Sequence, residues 1–550
     1  MTASTRVGTP AEAAPGASSP RQALILALTA VAFFMVVLDA LVVVTALPSI
    51  HRSLGGSVGT LQWTVNAYNM AFGAGIITAA ALGDRLGRRR VYTAGLALFT
   101  VASAACALAP DAGLLITARA VQGLGAAVIT PLSLTILTTA FPAERRGAII
   151  GIWGGISGLG VAAGPLIGGA VTQGLSWHWV FWVNVPVGIA AVIGARLRLP
   201  ESRGPRTRLD IPGLALVSAG AAALIWAVVR GSQAGWSAGP VLAGLALGAV
   251  LVGAFLAWER FWAAQPMIPL GLFRTRSFSA AVAATFLTGA AIYSAAFLTS
   301  QFFQFALGDS PLATGLRFLP WTAAPLLVAP VAGALSDRVG PRALMVPGLL
   351  LQGAGFAWIA VLAGSHAGYA AYLLPFIVAG VGVSMAIPTT AAAALNAVAP
   401  AALGKASAVL NTLRQFGAVF GIAIVTAIFT SRGSLAGPAA VTSGYRPALA
   451  AAAGFSVLGA LAAVGVRRVS GAPGEPERSG APEVAGASRT ARAAGTARAA
   501  GAAVTAGATG TARATVTAGA TVTAGAAVTA GATGTAAAPI TQGRLPRSAT

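Results

Sequence analysis

The chain is poor in charge, and poorest in acid. Only 9% of its 550 residues are charged, with 13 Asp or Glu against 35 Lys or Arg. Soluble domains carry about 25% charged residues, so this composition excludes an ordinary soluble protein and points to an integral membrane protein. There is one cysteine, Cys106, inside an apolar run, so no internal disulfide can form. The three histidines, His51, His178 and His366, are scattered and give no metal-ligand cluster. No metal or cofactor is expected. No nucleophile–base–orienter set and no nucleotide loop is present, so an enzyme is not expected either. A net charge of +22 would suit nucleic acid if the basic residues shared a face. They recur instead in short links between apolar runs, which argues against a nucleic-acid partner.

What the chain has in quantity is apolar length, with 56% hydrophobic residues. Fourteen runs reach the roughly 20 residues that span a bilayer. They lie near 23–47, 61–82, 91–109, 113–139, 147–173, 178–197, 211–230, 239–258, 277–300, 312–335, 343–363, 369–394, 405–430 and 446–466. The first run is too long for a signal peptide and reads as a span. Runs of this length cross lipid as helices, so the fold class is all-α integral membrane.

Residues 1–21 and 467–550 have almost no large apolar residues and are expected to be disordered. Most Lys and Arg in the links fall on the amino-terminal side, from Arg21 through Arg85 and Arg88 to Lys405. The opposite side holds Arg52, Arg230, Arg432 and Arg446. By the positive-inside rule both termini are cytoplasmic, in the cell membrane.

An internal repeat is visible. "GDRLGRR" at Gly83–Arg89 matches "SDRVGPR" at Ser336–Arg342, each after the second helix of a set. This divides the chain into a six-helix half at 22–198, two inserted helices at 199–260 and a second half at 277–466. Parallel six-helix halves around a midplane site are a transporter design. In these loops Gly83, Asp84, Arg85, Gly87 and Arg88, with Asp337 and Arg338, are candidates for a conformational switch. The glycines permit a tight turn, and Asp84 can pair with an Arg or a helix amino terminus. A plain positive-inside loop is the alternative, made less attractive by the repeat of Asp-Arg-x-Gly at Asp337.

The fifth run, "GLGVAAGPLIGGA", places Gly160, Gly164 and Gly168 at i+4 spacing, beside Gly169. Such a face lets another helix approach closely, and Pro165 can kink its own helix. These residues are expected to flex. In the ninth run Tyr293, Phe297, Gln301 and Gln304 share one face, either lining a cavity or packing a core. In the thirteenth, Asn411, Arg414 and Gln415 form a polar cluster. Arg119 lies inside the fourth run, where a charge is expensive. It either snorkels to the surface or faces an interior acid.

Together these motifs resemble the major facilitator superfamily, specifically its fourteen-helix branch of drug:proton antiporters. The resemblance covers about residues 22–466. It rests on Asp39–Pro48 ("LDALVVVTALP"), Trp63–Tyr68, Gly83–Arg90, Arg119–Gly123, Gly160–Gly169 and Trp177–Pro186. The Gly-Pro motif of the fifth helix is its most specific part, being typical of antiporters. It implies a monomeric carrier in the lipid bilayer that exchanges protons for small-molecule substrates, lipophilic or cationic drugs or metabolites, by alternating access. It makes Trp63, Asn66, Tyr68, Gln122, Tyr293, Phe297, Gln301, Asn411 and Arg414 the candidates for the substrate cavity.

A proton-coupled carrier needs a group that loads and unloads a proton within the membrane. Arginine stays charged and cannot do so. Of the 13 acids, the others fall in tails, links or helix ends, and Asp39 alone lies well inside a run. Asp39 is therefore the expected coupling residue, with Arg119 at a comparable depth as its partner. Exchange of one proton for one monovalent cation would be electroneutral. Two other functions fit the composition: a proton symporter on the same fold, and a non-transporting membrane receptor. The Gly-Pro motif argues against the first, and the lack of a soluble domain against the second.

Overall fold

In the computed structural model, residues 20–204, 210–263, 266–363, 368–399 and 402–467 are described. Of the two segments expected to be disordered, 1–21 and 467–550, all but 20–21 and Arg467 lie outside the described residues. The chain divides into compact units Met1–Ser470 and Gly471–Thr550; the first holds all of the described structure.

Fourteen segments among the described residues are helical, long and apolar enough to cross a membrane. No strand occurs among the described residues. The first half contains α1 (Pro20–Leu54), α2 (Val58–Leu86), α3 (Arg88–Ala107), α4 (Ala112–Ala140) and α5 (Ala143–Gly174). Its last span is divided into α6 (Trp179–Trp182) and α7 (Asn184–Arg198). The inserted pair is α8 (Ile211–Ala234) and α9 (Gly239–Phe261). The second half begins with α10 (Arg276–Gln301), which runs on through a π turn at Phe302–Ala306. Its next span is broken between α11 (Pro311–Thr322) and α12 (Ala324–Val339), where Pro320 and Pro325 deny the backbone two hydrogen bonds. The half is completed by α13 (Pro341–Leu362), α14 (Tyr369–Leu395), α15 (Leu403–Arg432) and α16 (Pro438–Val464).

The end where α1 starts is called near, and the opposite end far. The last span begins eight residues before its expected position. Thr442, Ser443 and Arg446 lower the hydropathy of its first turns, yet Pro438 opens the helix there, a position proline favours. Arg446 therefore lies inside α16 and Arg230 inside α8, not in links. The two repeated loops do turn alike: Gly87 has φ 111° and Gly340 has φ 82°. Both values favour glycine. Gly83 plays a different part from the one its sequence suggests. It is still helical and buried in α2, and a side chain there would collide with Leu132 of α4.

The halves meet at the far end. An apolar cluster there joins Val42, Val43 and Leu47 of α1 to Phe297 and Phe303 and to Tyr445 of α16. Separate clusters fill the near part of each half. The inserted α8 packs Ala221 and Ile225 on Phe416, Val419 and Ala423 of α15, with Trp63 and Met70 of α2 alongside.

Candidate functional site

The first half places a sealed polar network around Asp39. Arg119 Nη1 donates to Asp39 Oδ2 at 2.6 Å. The other carboxylate oxygen accepts from Gln122 Nε2 and Asn184 Nδ2, each at 2.9 Å. Arg119 also donates to Gln122 Oε1 at 2.7 Å and to the Thr64 carbonyl at 3.3 Å. Ser103 Oγ accepts from both amides at 3.2 Å and donates to the Phe181 carbonyl. The guanidinium carbon lies 4.1 Å from the centre of the Tyr68 ring. Five helices and the α6 turn thus supply one site. Asp39 and Arg119 are each 1% exposed, and Gln122, Ser103 and Tyr68 are fully buried.

The physical logic is one of full satisfaction. A buried charge is tolerated only when paired and hydrogen-bonded. Here the carboxylate has partners on both oxygens, and the Arg fork is bound on one side and covered by aromatic faces on the other. Arg119 does not reach the surface. Removing either charge leaves the other buried alone, which costs about 3–5 kcal/mol.

The far seam closes over this network. Ser300 Oγ donates to the Val44 carbonyl at 2.8 Å, and Gln304 Nε2 to the Thr45 carbonyl at 2.9 Å. On the other flank, Gly169 of α5 lies against the Pro311 backbone of α11, and Gly315 against the Pro165 carbonyl. Leu312 N donates to Gln173 Oε1 at 3.2 Å. Gly160 and Gly164 instead pack within their own half, where a Cβ on Gly164 would stand 2.7 Å from Leu41 Cβ. Gly168 does likewise against Val42 and Thr45. Towards the near end α5 and α12 part: Gly158 still faces Leu326, while Gly151 and Gly155 have nothing within 4 Å of a Cβ position.

The cavity candidates separate. Tyr68 and Gln122 belong to the Asp39 network. Phe297 is 1% exposed within the far apolar cluster. Asn66 and Gln301 are buried, and their amides find no partner among the described residues; Gln62, also on α2, is the same. Trp63 lines a far-side cleft with Trp226 and Arg230. Asn411 and Arg414 line a near-side cleft in the second half, and Arg414 Nη2 donates to Asn411 Oδ1 at 2.7 Å. Tyr293 is half-buried and packs against the far apolar cluster.

The two switch loops differ from each other. Asp84, near the end of α2, bonds to Arg88, the first residue of α3, at 2.7 Å. Asp337 and Arg338 are exposed, and no ion pair is formed by either among the described residues. The carboxylate that ties elements together is Glu201. It accepts from the Arg89 backbone N at 3.0 Å and stands 3.7 Å from both the Arg89 and Arg90 side chains. It therefore holds the amino terminus of α3, where an anion is favoured. Sequence reasoning missed Glu201 because it sits in a link among other charges. It missed Ser103 and Thr64 because neither stands out from its run. Asn184 did carry a signal, a lone amide in "WVNVP".

Comparison with known proteins agrees with this architecture. The chain is 36% identical to the cephamycin export protein of Amycolatopsis lactamdurans over 80% of its length and 90% of that protein's. It is 35% identical to a multidrug resistance protein of Mycobacterium tuberculosis, covering 74% of this chain and 76% of that one. The tetracenomycin C resistance and export protein of Streptomyces glaucescens is 34% identical, over 73% and 75%. Among solved structures, an auto-inhibited POT family peptide transporter superposes with a TM-score of 0.61 at 16% identity, over 83% of this chain and 99% of that one; this likeness concerns the fold alone. The sequence pattern of the Major Facilitator Superfamily matches residues 29–421 and 281–545. With its two six-helix halves, its inserted pair and these relatives, the chain is a multi-pass membrane protein belonging to the Major Facilitator Superfamily.

Proposed function

We propose that this protein is a proton-coupled antiporter that exports drug-like or antibiotic-like small molecules from the cell. The observation that carries the reading is the sealed Asp39–Arg119 network in a fold whose relatives are named for drug resistance and export. Asp39 is the proton-loading group and Arg119 its counter-ion. Protonation of Asp39 cancels its charge, weakens its bonds to Arg119, Gln122 and Asn184, and loosens three helices together. The buried amides of Gln62, Asn66 and Gln301, unpartnered in this far-closed state, regain hydrogen bonds to water or substrate when the far seam opens. Each such orphan costs about 1–3 kcal/mol, so the closed seam is poised for release.

The near end, rich in Arg, faces the cytoplasm, with both termini there and the protein a monomer in the cell membrane. Asp39 takes a proton from outside, the halves rock, and the proton leaves to the cytoplasm as substrate is loaded. The test is substrate-driven proton movement in proteoliposomes, screened across compound classes. Export against a gradient that leaves internal pH unchanged would overturn antiport, and proton and substrate moving in the same direction would establish a symporter instead.

A further inference from the structure

The second half holds a membrane-embedded charge that the proton site does not use. Arg414 lies about three turns inside α15 and is partly buried. Its Nη2 donates a hydrogen bond to the neutral Asn411 Oδ1. Between residues 277 and 466 the chain has just two acids, Asp309 and Asp337. Asp309 is in the far link and pairs with Arg317, while Asp337 is exposed in the near link. No ion pair reaches Arg414 among the described residues. It lines a cleft of about 80 Å³ beside Thr285, Thr288 and Thr390. Those hydroxyls are already bonded to carbonyls of their own helices. The cation, with five N–H donors in a fixed fork, is the directional group still available.

The charge balance decides what such a site accepts. Asp39 and Arg119 cancel each other when Asp39 is ionised. Arg414 then leaves the middle of the bundle with one net positive charge, and protonation of Asp39 makes it two. A monovalent cation is repelled in either state. An acceptor oxygen gains a charge-assisted hydrogen bond, and a carboxylate can bind the fork through both oxygens.

We propose that Arg414, steadied by Asn411, is the substrate-docking cation, and that the exported molecules are neutral or anionic compounds bearing a carboxylate, phenolate or conjugated carbonyl, not monovalent cations. This rests on the reading of the interior as an export path. It also makes exchange electrogenic. One proton inward against a neutral substrate outward moves one positive charge, and against a monoanion two, so an inside-negative potential accelerates export.

Full-length protein in nanodiscs, titrated with fluorescein as the anionic probe and ethidium as the cationic one, tests the assignment by fluorescence anisotropy. Wild type is expected to bind fluorescein at least tenfold more tightly. Arg414→Gln should weaken fluorescein by about tenfold to hundredfold and leave ethidium unchanged or tighter. Arg414→Lys should recover part of the loss, because it keeps the charge without the fork, and thermal unfolding of each variant reports its folding. Equal or tighter ethidium binding by wild type, absent fluorescein binding, or equal effects of Arg414→Gln on both probes would overturn the proposal. Proton release separates the two readings. Arg414-dependent fluorescein binding that never moves protons removes antiport and leaves the docking cation. Ethidium-driven proton release indifferent to Arg414 does the reverse.

Discussion

The two halves share a helix plan and a loop motif, yet they treat charge in opposite ways. The first half buries Asp39 against Arg119 and satisfies both. The second leaves Arg414 hydrogen-bonded to the neutral Asn411, with no ion pair among the described residues. The loops repeat the contrast. At 83–90 the charges are tied down by Arg88 and Glu201, while Asp337 and Arg338 stand exposed. A repeated fold thus supplies two scaffolds, and only the first carries a buried carboxylate paired with an arginine among the described residues. The halves are alike in architecture because helix packing tolerates many sequences. They differ in charge pairing because Asp39 is fully buried and needs partners, whereas Arg414 is only partly buried.

The strongest way to break the comparison is to make the first half like the second. Asp39→Asn should abolish uphill export completely, measured in energised inverted vesicles. It should also lower stability by about 3–5 kcal/mol, since Arg119 is left buried and unpaired. Asp39→Asn combined with Arg119→Gln should recover most of the unfolding temperature and none of the export. Full accumulation by either variant would end the coupling role of Asp39.

Next in size is the loss of the counter-ion alone. A cation beside a buried carboxylate favours its charged form, and its removal favours the neutral form. With Arg119→Ala, the pH profile of efflux in proteoliposomes should therefore move to the alkaline side. Superimposable profiles for wild type and variant would remove Arg119 from the mechanism.

The glycines of α5 sharpen the distinction between contacts within a half and contacts between halves. Gly169→Leu should wedge α5 from α11 and hold the far seam open. Ser300→Cys, in a Cys106→Ala background, should then label several-fold faster with a water-soluble maleimide. Gly164→Leu should slow transport without that acceleration, because its clash is with Leu41 of its own half. Equal labelling in the two variants would refute the division of the motif.

The smallest effects belong to the loops. Glu201→Gln should cost about 1 kcal/mol, by weakening the bond to the α3 amino terminus, and Asp84→Asn about 0.5 kcal/mol as an i,i+4 pair. Asp337→Asn should leave the unfolding temperature unchanged. A destabilisation at Asp337 equal to that at Glu201 would erase the asymmetry.

The sequence by itself determined the class, the fourteen spans and the identity of Asp39 and Arg119. These are one-dimensional properties: a bilayer counts apolar residues along the chain, and a charge within such a run is conspicuous because lipid makes it costly. The start of α16 was less legible, because its first turns are held by packing and not by hydropathy. Tertiary structure alone decided that Asn184 reaches a carboxylate 145 positions away, and that Gln122 turns inward to the same atom. It also decided that Gly83 is a helix contact, that Asp84 bonds locally, and that Glu201 holds the loop. A hydrogen bond is settled within about 3 Å and by direction. Periodicity places a residue on a helix face, but only the packing of the whole bundle brings that face to within such a distance of its partner.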